Sequence, residues 1–544
     1  INFLYFRQCV SHSSIIQNDF HLGKLFLLTS YYPIIYVRGY AMTRGEIDET
    51  TADPFCRFNL GSTVYRATTN KAKPNKFVFE SPVVRLMSDY EYVDVFKDGN
   101  DITDPNWNGC ISNKSIVVYH YYDQASTLLG TGVTPKIDEF AKGLSKLILR
   151  VKDLVCANTK NEVVPEDFRC YLVAHSMGGL VCRAFLQNPA LGDDQARRCV
   201  DKIFTYATPH NGIEVFGTNV PDWLSLFGTN TFNRGNMSVY LNLSNLYKKT
   251  ERVDWIPESV FPSERFFCMI GTNRGDYEAA KGIARTFAGQ GSDGLVRIEN
   301  ASVWGVNDNG DESTPCATAY TYRSHSGYFG IVNGEESYQN LTRFLFGSIR
   351  ADIWVDVANI SLPKELQEIS ISKEVNALYQ FEIHASPRGK RWYLTRRTAE
   401  EDSVACCSHK DLNDPSKKSI YLSTVFLDDQ QRVDPQRSSL AYSVTLGVRV
   451  PDYEVERSLW WNKHYEGGYL FRDSVVIELF KPQAPGEDWR IVYDWQSDNL
   501  GQANTKLDIN GLPGGKMELL IPFKTETTPG ISGNLRFVAS EWNA

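Results

Sequence analysis

The stretch CYLVAHSMGGLVCRAFLQ, residues 170–187, admits few folds. Its opening residues are a short apolar run of the kind that forms a strand buried on both faces, and from Leu180 onward the pattern turns helical. Little more than Ala174, His175, Ser176, Met177, Gly178 and Gly179 separates the two. A strand that passes into a helix within so few residues must turn sharply, and small side chains let the two elements approach. The turn carries one serine, Ser176, whose hydroxyl is projected out of the sheet.

The surrounding chain repeats this alternation. Short apolar runs at 33–37, 115–121, 170–174, 202–207 and 265–271 are strands, and helical patterns lie between them. Ile137, Phe140, Leu144, Leu147, Ile148, Val151 and Leu154 recur at spacings of three and four, with Thr134 as the expected cap and Pro135 at the first turn. Strands crossed over by helices predict an α/β fold built on a mostly parallel sheet. Two segments near 42–110 and 212–262 break the alternation and read as insertions. The second holds Trp223, Leu224, Leu226 and Phe227, apolar residues suited either to a lid over a greasy pocket or to the packing of a small subdomain. After about residue 350 the runs alternate with period two and are separated by Pro, Gly, Asn and Asp, which predicts a separate antiparallel β-sandwich. The expected division is therefore an N-terminal extension over 1–30, an α/β domain over 31–348 and a β-sandwich over 349–544.

Composition excludes several functional classes. A formal charge of −8 without a basic stripe gives no nucleic-acid surface. No uninterrupted apolar window approaches the ~18 residues a membrane span needs, and the first thirty residues lack the progression of a signal peptide. Eleven cysteines without a CxxC pair or zinc spacing predict no structural metal. They point to a soluble chain in a reducing compartment, with secretion and a Cys56–Cys110 bridge left open. NDNGDE at 307–312 reads as a solvated turn, because it lacks the length and closing glutamate of a calcium loop. Oligomeric state is not legible.

A serine hydroxyl becomes a nucleophile only when a base takes its proton and an acid orients that base. Beyond Ser176 and before the β-rich region, the only histidines are His210 and His325. Asp293 lies in a Ser-Asp-Gly turn after the fifth strand, and His325 follows in YRSHSGYFGIVN. Asp276 and Asp308 are the alternative acids. An oxyanion needs donors, for which the N–H groups of Met177 and of Tyr40 in YVRGYAMT are placed. His210 is assigned to the pocket lining, with a hydrogen-bonded structural role as its alternative. His175 is expected to point away from Ser176, at the pocket rim or in a structural role.

The order Ser176, Asp293, His325, together with AHSMGG, ATPHNG (207–212), SDGLV and SHSGYFGIVN, resembles the α/β-hydrolase superfamily, specifically its lipases and esterases. The resemblance covers about 33–346 and departs from it at Ala174 and at Arg38-Gly39, where relatives carry Gly and His-Gly. It implies a cofactor-independent carboxylic-ester hydrolase with Ser176 as nucleophile, His325 as general base and acid, and Asp293 as orienting acid. An ester or lipid would be its substrate, with lipid-interface contact compatible with the cap. The same triad also serves acyl transfer and phospholipase, thioesterase or amidase chemistry, and a catalytically inactive binding protein is the reading from another class.

Overall fold

The computed structural model describes residues 31–39, 63–66, 75–78, 81–95, 107–119, 121, 136–213, 232–275, 291–327, 329–371, 374–434, 436–455, 463–481, 487, 489–498 and 504–543. Seven strands form one sheet: β1 (Ile34–Val37), β2 (Val93–Asp94), β3 (Ser115–Val118), β4 (Cys170–His175), β5 (Val200–Tyr206), β6 (Phe266–Gly271) and β7 (Ala317–Thr321). Their spatial order is β7-β6-β5-β4-β1-β3-β2, and every pairing is parallel. The chain leaves β1 toward β2 and β3 on one side and continues from β4 on the other. The carboxyl ends of β1 and β4 therefore flank the crevice where such sheets place their sites.

Four helices cover the sheet: α1 (Pro82–Tyr90), α2 (Ile137–Cys156), α3 (Met177–Gln187) and α4 (Glu335–Phe346). Alternate strand residues sort them into layers. Ile35, Val37, Val117, Leu172 and Ile203 share a core with α2 and α3, whereas Ile34, Tyr36, Ile116, Val173 and Phe204 share another with α1 and α4. Strands β1, β3, β4 and β6 are buried at every residue because both faces of the sheet are covered there. All seven periodic residues of α2 are buried, and Thr134 and Pro135 lie outside the described residues.

From Ile349 the chain is antiparallel. Its strands are β8 (Ile349–Ser361), β9 (Val375–Pro387), β10 (Thr395–Arg397), β11 (Ala405–Ser408), β12 (Ser419–Leu427), β13 (Ser439–Val455), β14 (Lys463–Phe480), β15 (Arg490–Trp495), β16 (Thr505–Lys506), β17 (Ile509–Leu512), β18 (Lys516–Lys524) and β19 (Gly530–Glu541). One sheet runs β12-β8-β19-β18-β17, and the other runs β10-β9-β13-β14-β15-β16 with β11 on β9. Ile353, Ile521 and Leu535 from the first meet Phe381, Leu446 and Val475 from the second in one core, which makes the pair a β-sandwich.

Several elements differ from expectation. The segment at 42–110 is not wholly an insertion, because it supplies α1 and the edge strand β2. Strand β7, ATAYT, lacks the large aliphatic residues that mark the other strands. Strand β8 is disguised by Arg350 and Asp352, which are both buried and pair with each other at 3.0 Å. Cys110 is an exposed free thiol, and Cys56, its conceivable bridge partner, lies outside the described residues. NDNGDE closes the turn between the short strands Trp304–Val306 and Glu312–Pro315, with Asn307 Oδ1 accepting the N–H groups of Asn309 and Asp311, each at 3.0 Å.

The two halves are joined along β7, an edge of the parallel sheet. The Thr318 N–H donates to Tyr421 Oη at 3.1 Å, the Tyr320 N–H to Thr395 Oγ1 at 3.3 Å, and Ser423 Oγ–H to the Thr318 carbonyl at 2.8 Å. Near the amino end of the interior strand β5, Lys202 is buried. Its ammonium donates to the Leu345 carbonyl at 2.9 Å and to Asn543, beneath the Trp542 ring. Burial pushes its pKa from 10.5 down to about 7. Between those values the unfolded chain holds a proton that the folded chain has released, so stability from this site rises as pH increases across the window. We expect Lys202→Met to remove that rise, read as a pH-independent offset in urea midpoint replacing the wild-type slope.

Candidate active site

Where β4 ends, Ser176 adopts φ 52° and ψ −128°, a backbone conformation that L-residues rarely take. This is the sharp turn, and it is held at both ends. The Ser176 N–H donates to the Tyr206 carbonyl at 2.8 Å, and the Thr208 hydroxyl donates to the Ser176 carbonyl at 2.8 Å. Neighbouring backbone closes in where side chains are missing. A Cβ on Gly178 would be driven into the Val37 carbonyl oxygen, and one on Gly39 into the Ser176 side chain. Met177 is the first residue of α3, where helical N–H groups lack intrahelical acceptors.

The structure brings Ser176, His325 and Asp293 together. His325 Nε2 lies 2.9 Å from Ser176 Oγ, and His325 Nδ1 lies 2.9 Å from Asp293 Oδ2. With Nδ1–H donating to the carboxylate, Nε2 is the lone-pair nitrogen that accepts the serine proton. All three side chains are buried. The remaining carboxylate oxygen, Asp293 Oδ1, accepts the N–H groups of Leu295 at 3.0 Å and Val296 at 2.8 Å. The Asp293 carbonyl accepts the His325 N–H at 3.0 Å. Both oxygens of the acid are thus fixed, which sets the plane of the imidazole. Each residue comes from a carboxyl-end loop: Ser176 after β4, Asp293 in the connection from β6 to β7, and His325 after β7.

The other expected site residues fall elsewhere. Asp308 is exposed in the turn described above, away from the imidazole–carboxylate pair, and Asp276 lies outside the described residues. So do Tyr40, Trp223, Leu224 and Phe227. His210 is fully buried, its Nε2 lies 3.1 Å from Thr205 Oγ1, and its ring meets Phe266 edge-on. The contact with Thr205 is a hydrogen bond of the kind expected of its alternative role. Its carbonyl is clamped by Arg183, a buried guanidinium that also donates to the carbonyls of Val253 at 2.7 Å and Trp255 at 2.8 Å. Burial pushes Arg183 down to about 10, which leaves it cationic at neutral pH.

His175 differs most from expectation. Its ring does not point away from the site but lies 5.0 Å from that of His325, centroid to centroid. Strand alternation predicts the opposite side, but the chain leaves the strand geometry at Ser176, one residue on. Burial, reinforced by His325, holds the His175 pKa well below the usual imidazole value. Among the described residues, no group of three or more His, Cys, Asp or Glu side chains could hold a metal ion, and no helix is long and apolar enough to cross a membrane.

The sheet order and the loops at its carboxyl edge are those of an α/β-hydrolase domain. Residues 117–228, which include the Ser176 turn, match the family described as PGAP1-like alpha/beta domain. No curated protein matches the chain. Among solved structures, the chain is similar to the mature lipase BlEst2 of Bacillus licheniformis, with 14% identity over 58% of this chain and 92% of that one, at a TM-score of 0.29. It is also similar to phospholipase PlaB of Legionella pneumophila in complex with thio-NAD, with 14% identity over 80% of this chain and 89% of that one, at a TM-score of 0.30.

The close approach at Gly178 generates a stability prediction. Because the obstructing atom is a backbone carbonyl, Gly178→Ala should cost about 3 kcal/mol, read from urea denaturation. Gly468→Ala, where an added Cβ meets nothing within 4 Å, is the control that should stay near the wild-type midpoint.

Proposed function

We propose that the protein is a serine hydrolase that cleaves carboxylic esters through an acyl-enzyme. The observation that carries this reading is the unbroken hydrogen-bonded sequence from Ser176 Oγ through the His325 imidazole to Asp293 Oδ2 at the carboxyl edge of the sheet. Ser176 Oγ attacks the ester carbonyl carbon while its proton passes to His325 Nε2. The carbonyl oxygen becomes an oxyanion that the Met177 and Tyr40 N–H groups are assigned to hold. The imidazolium returns the proton to the leaving alkoxide as the ester C–O bond breaks. Water then repeats the sequence on the acyl-enzyme, releasing the carboxylic acid and restoring Ser176. Asp293 keeps its charge throughout and stabilises the imidazolium.

On this reading residues 31–348 form the catalytic domain and residues 349–544 an accessory domain. The apolar character of Trp223, Leu224 and Phe227 in the insertion suits an apolar acyl group, which favours lipase or esterase substrates over small polar esters.

Two measurements test the proposal. A fluorophosphonate probe should label the intact protein and fail to label Ser176→Ala; absence of labelling in the intact protein would overturn the hydrolase reading in favour of a binding protein. In a panel of p-nitrophenyl esters of increasing acyl length, Asp293→Asn should lower kcat by about 10⁴-fold with little change in KM, because the orienting acceptor for Nδ1–H is replaced.

A further inference from the structure

His175 lies beside the triad, and the proton transfers described above do not use it. Its Nε2 is 2.9 Å from the backbone carbonyl of His325. A carbonyl only accepts, so Nε2 carries the proton and donates, and Nδ1 is the bare nitrogen of a neutral ring. Nδ1 faces the loop after β1: a Cβ placed on Gly39 would stand 3.1 Å from it. One buried imidazole thus touches the loops after β1 and β7 while belonging to the strand that delivers Ser176.

The His325 main chain is consequently held from two directions. Its N–H donates to the Asp293 carbonyl at 3.0 Å, and its C=O accepts from His175 at 2.9 Å. The first bond ties it to the acid and the second to the nucleophile's strand. The following residues include Gly327 at φ 92° and Gly330, two positions of wide conformational freedom in the turn beyond His325. A bond that anchors the carbonyl at the start of such a loop has more to do than one within a helix.

We propose that His175 is a positioning residue for this reaction: by donating Nε2–H to the His325 carbonyl it sets the height of the His325 imidazole relative to Ser176 Oγ. The inference rests on the hydrolase reading given above. Its neutrality is part of the device. When His325 becomes an imidazolium in the transition state, a charged ring 5.0 Å away would oppose it, whereas a neutral donor does not. Burial keeps His175 in that neutral form.

The test uses the full chain and the ester assay. His175→Phe keeps a planar ring and removes the donor, and His175→Gln keeps a side-chain N–H of comparable reach. Expected are a 10- to 100-fold fall in kcat for His175→Phe with KM within about threefold of wild type, and recovery of most of that loss in His175→Gln. A His175→Phe enzyme at wild-type kcat overturns the proposal, as does equal impairment of both variants, which would place the effect in packing. If the phenylalanine variant does not fold, His175→Met against His175→Gln makes the same comparison. The two readings fail separately. An intact protein without Ser176-dependent turnover defeats the hydrolase assignment, whereas Ser176-dependent turnover that ignores the donor at position 175 defeats only the positioning role.

Discussion

The backbone of Ser176 is the constraint on which the site depends. A residue at φ 52° and ψ −128° costs of the order of 1–3 kcal/mol and persists only where its surroundings over-determine it. They do so here through hydrogen bonds to both peptide groups of the turn, from Tyr206 on the next strand and Thr208 just beyond it. They do so also through the missing side chains at Gly39 and Gly178, which let β1 and α3 press against the turn. The outcome is a hydroxyl lifted clear of the sheet edge, where the His325 imidazole from another loop reaches it.

His325 is placed by main-chain bonds as much as by its own ring. Asp293 anchors His325 twice, through its carboxylate and through its carbonyl. Its carboxylate is in turn anchored by two N–H groups of its own turn. Deeper in the fold Arg183 ties the loop after β5 to the segment at 253–255, so the support for Thr208 reaches into the core. The geometry therefore involves few residues, and each is over-determined by neighbours that lie outside the Ser176–His325–Asp293 contacts.

Much of this was legible from residue types. The five apolar runs became β1, β3, β4, β5 and β6, and the periodic residues at 137–154 became the buried face of α2. These signals are local, because a strand covered on both faces must be apolar throughout and a covered helix must repeat its apolar stripe. Serine, acid and histidine could be picked out by order, since the turn chemistry around each is local too. What could not be read depends on distant partners. Strand β8 was hidden because its buried Arg350 and Asp352 satisfy each other, a fact no single residue announces. The place of His175 follows from a reversal at the next residue, and that of His210 from the hydrogen bond its ring makes with Thr205.

The junction along β7 has a structural corollary. A strand at the margin of a sheet ordinarily offers its peptide groups to any passing chain, yet here Tyr421, Thr395 and Ser423 of the sandwich occupy them with side-chain oxygens. Phe426 completes the seal by packing among Phe267 and Phe344. The sandwich thus acts as a selvedge, finishing a border that would otherwise fray or recruit a stranger. Severing the chain near Gly347 would leave raw both a row of amides and an aromatic socket, and the halves are better understood as one woven piece than as cargo and carrier.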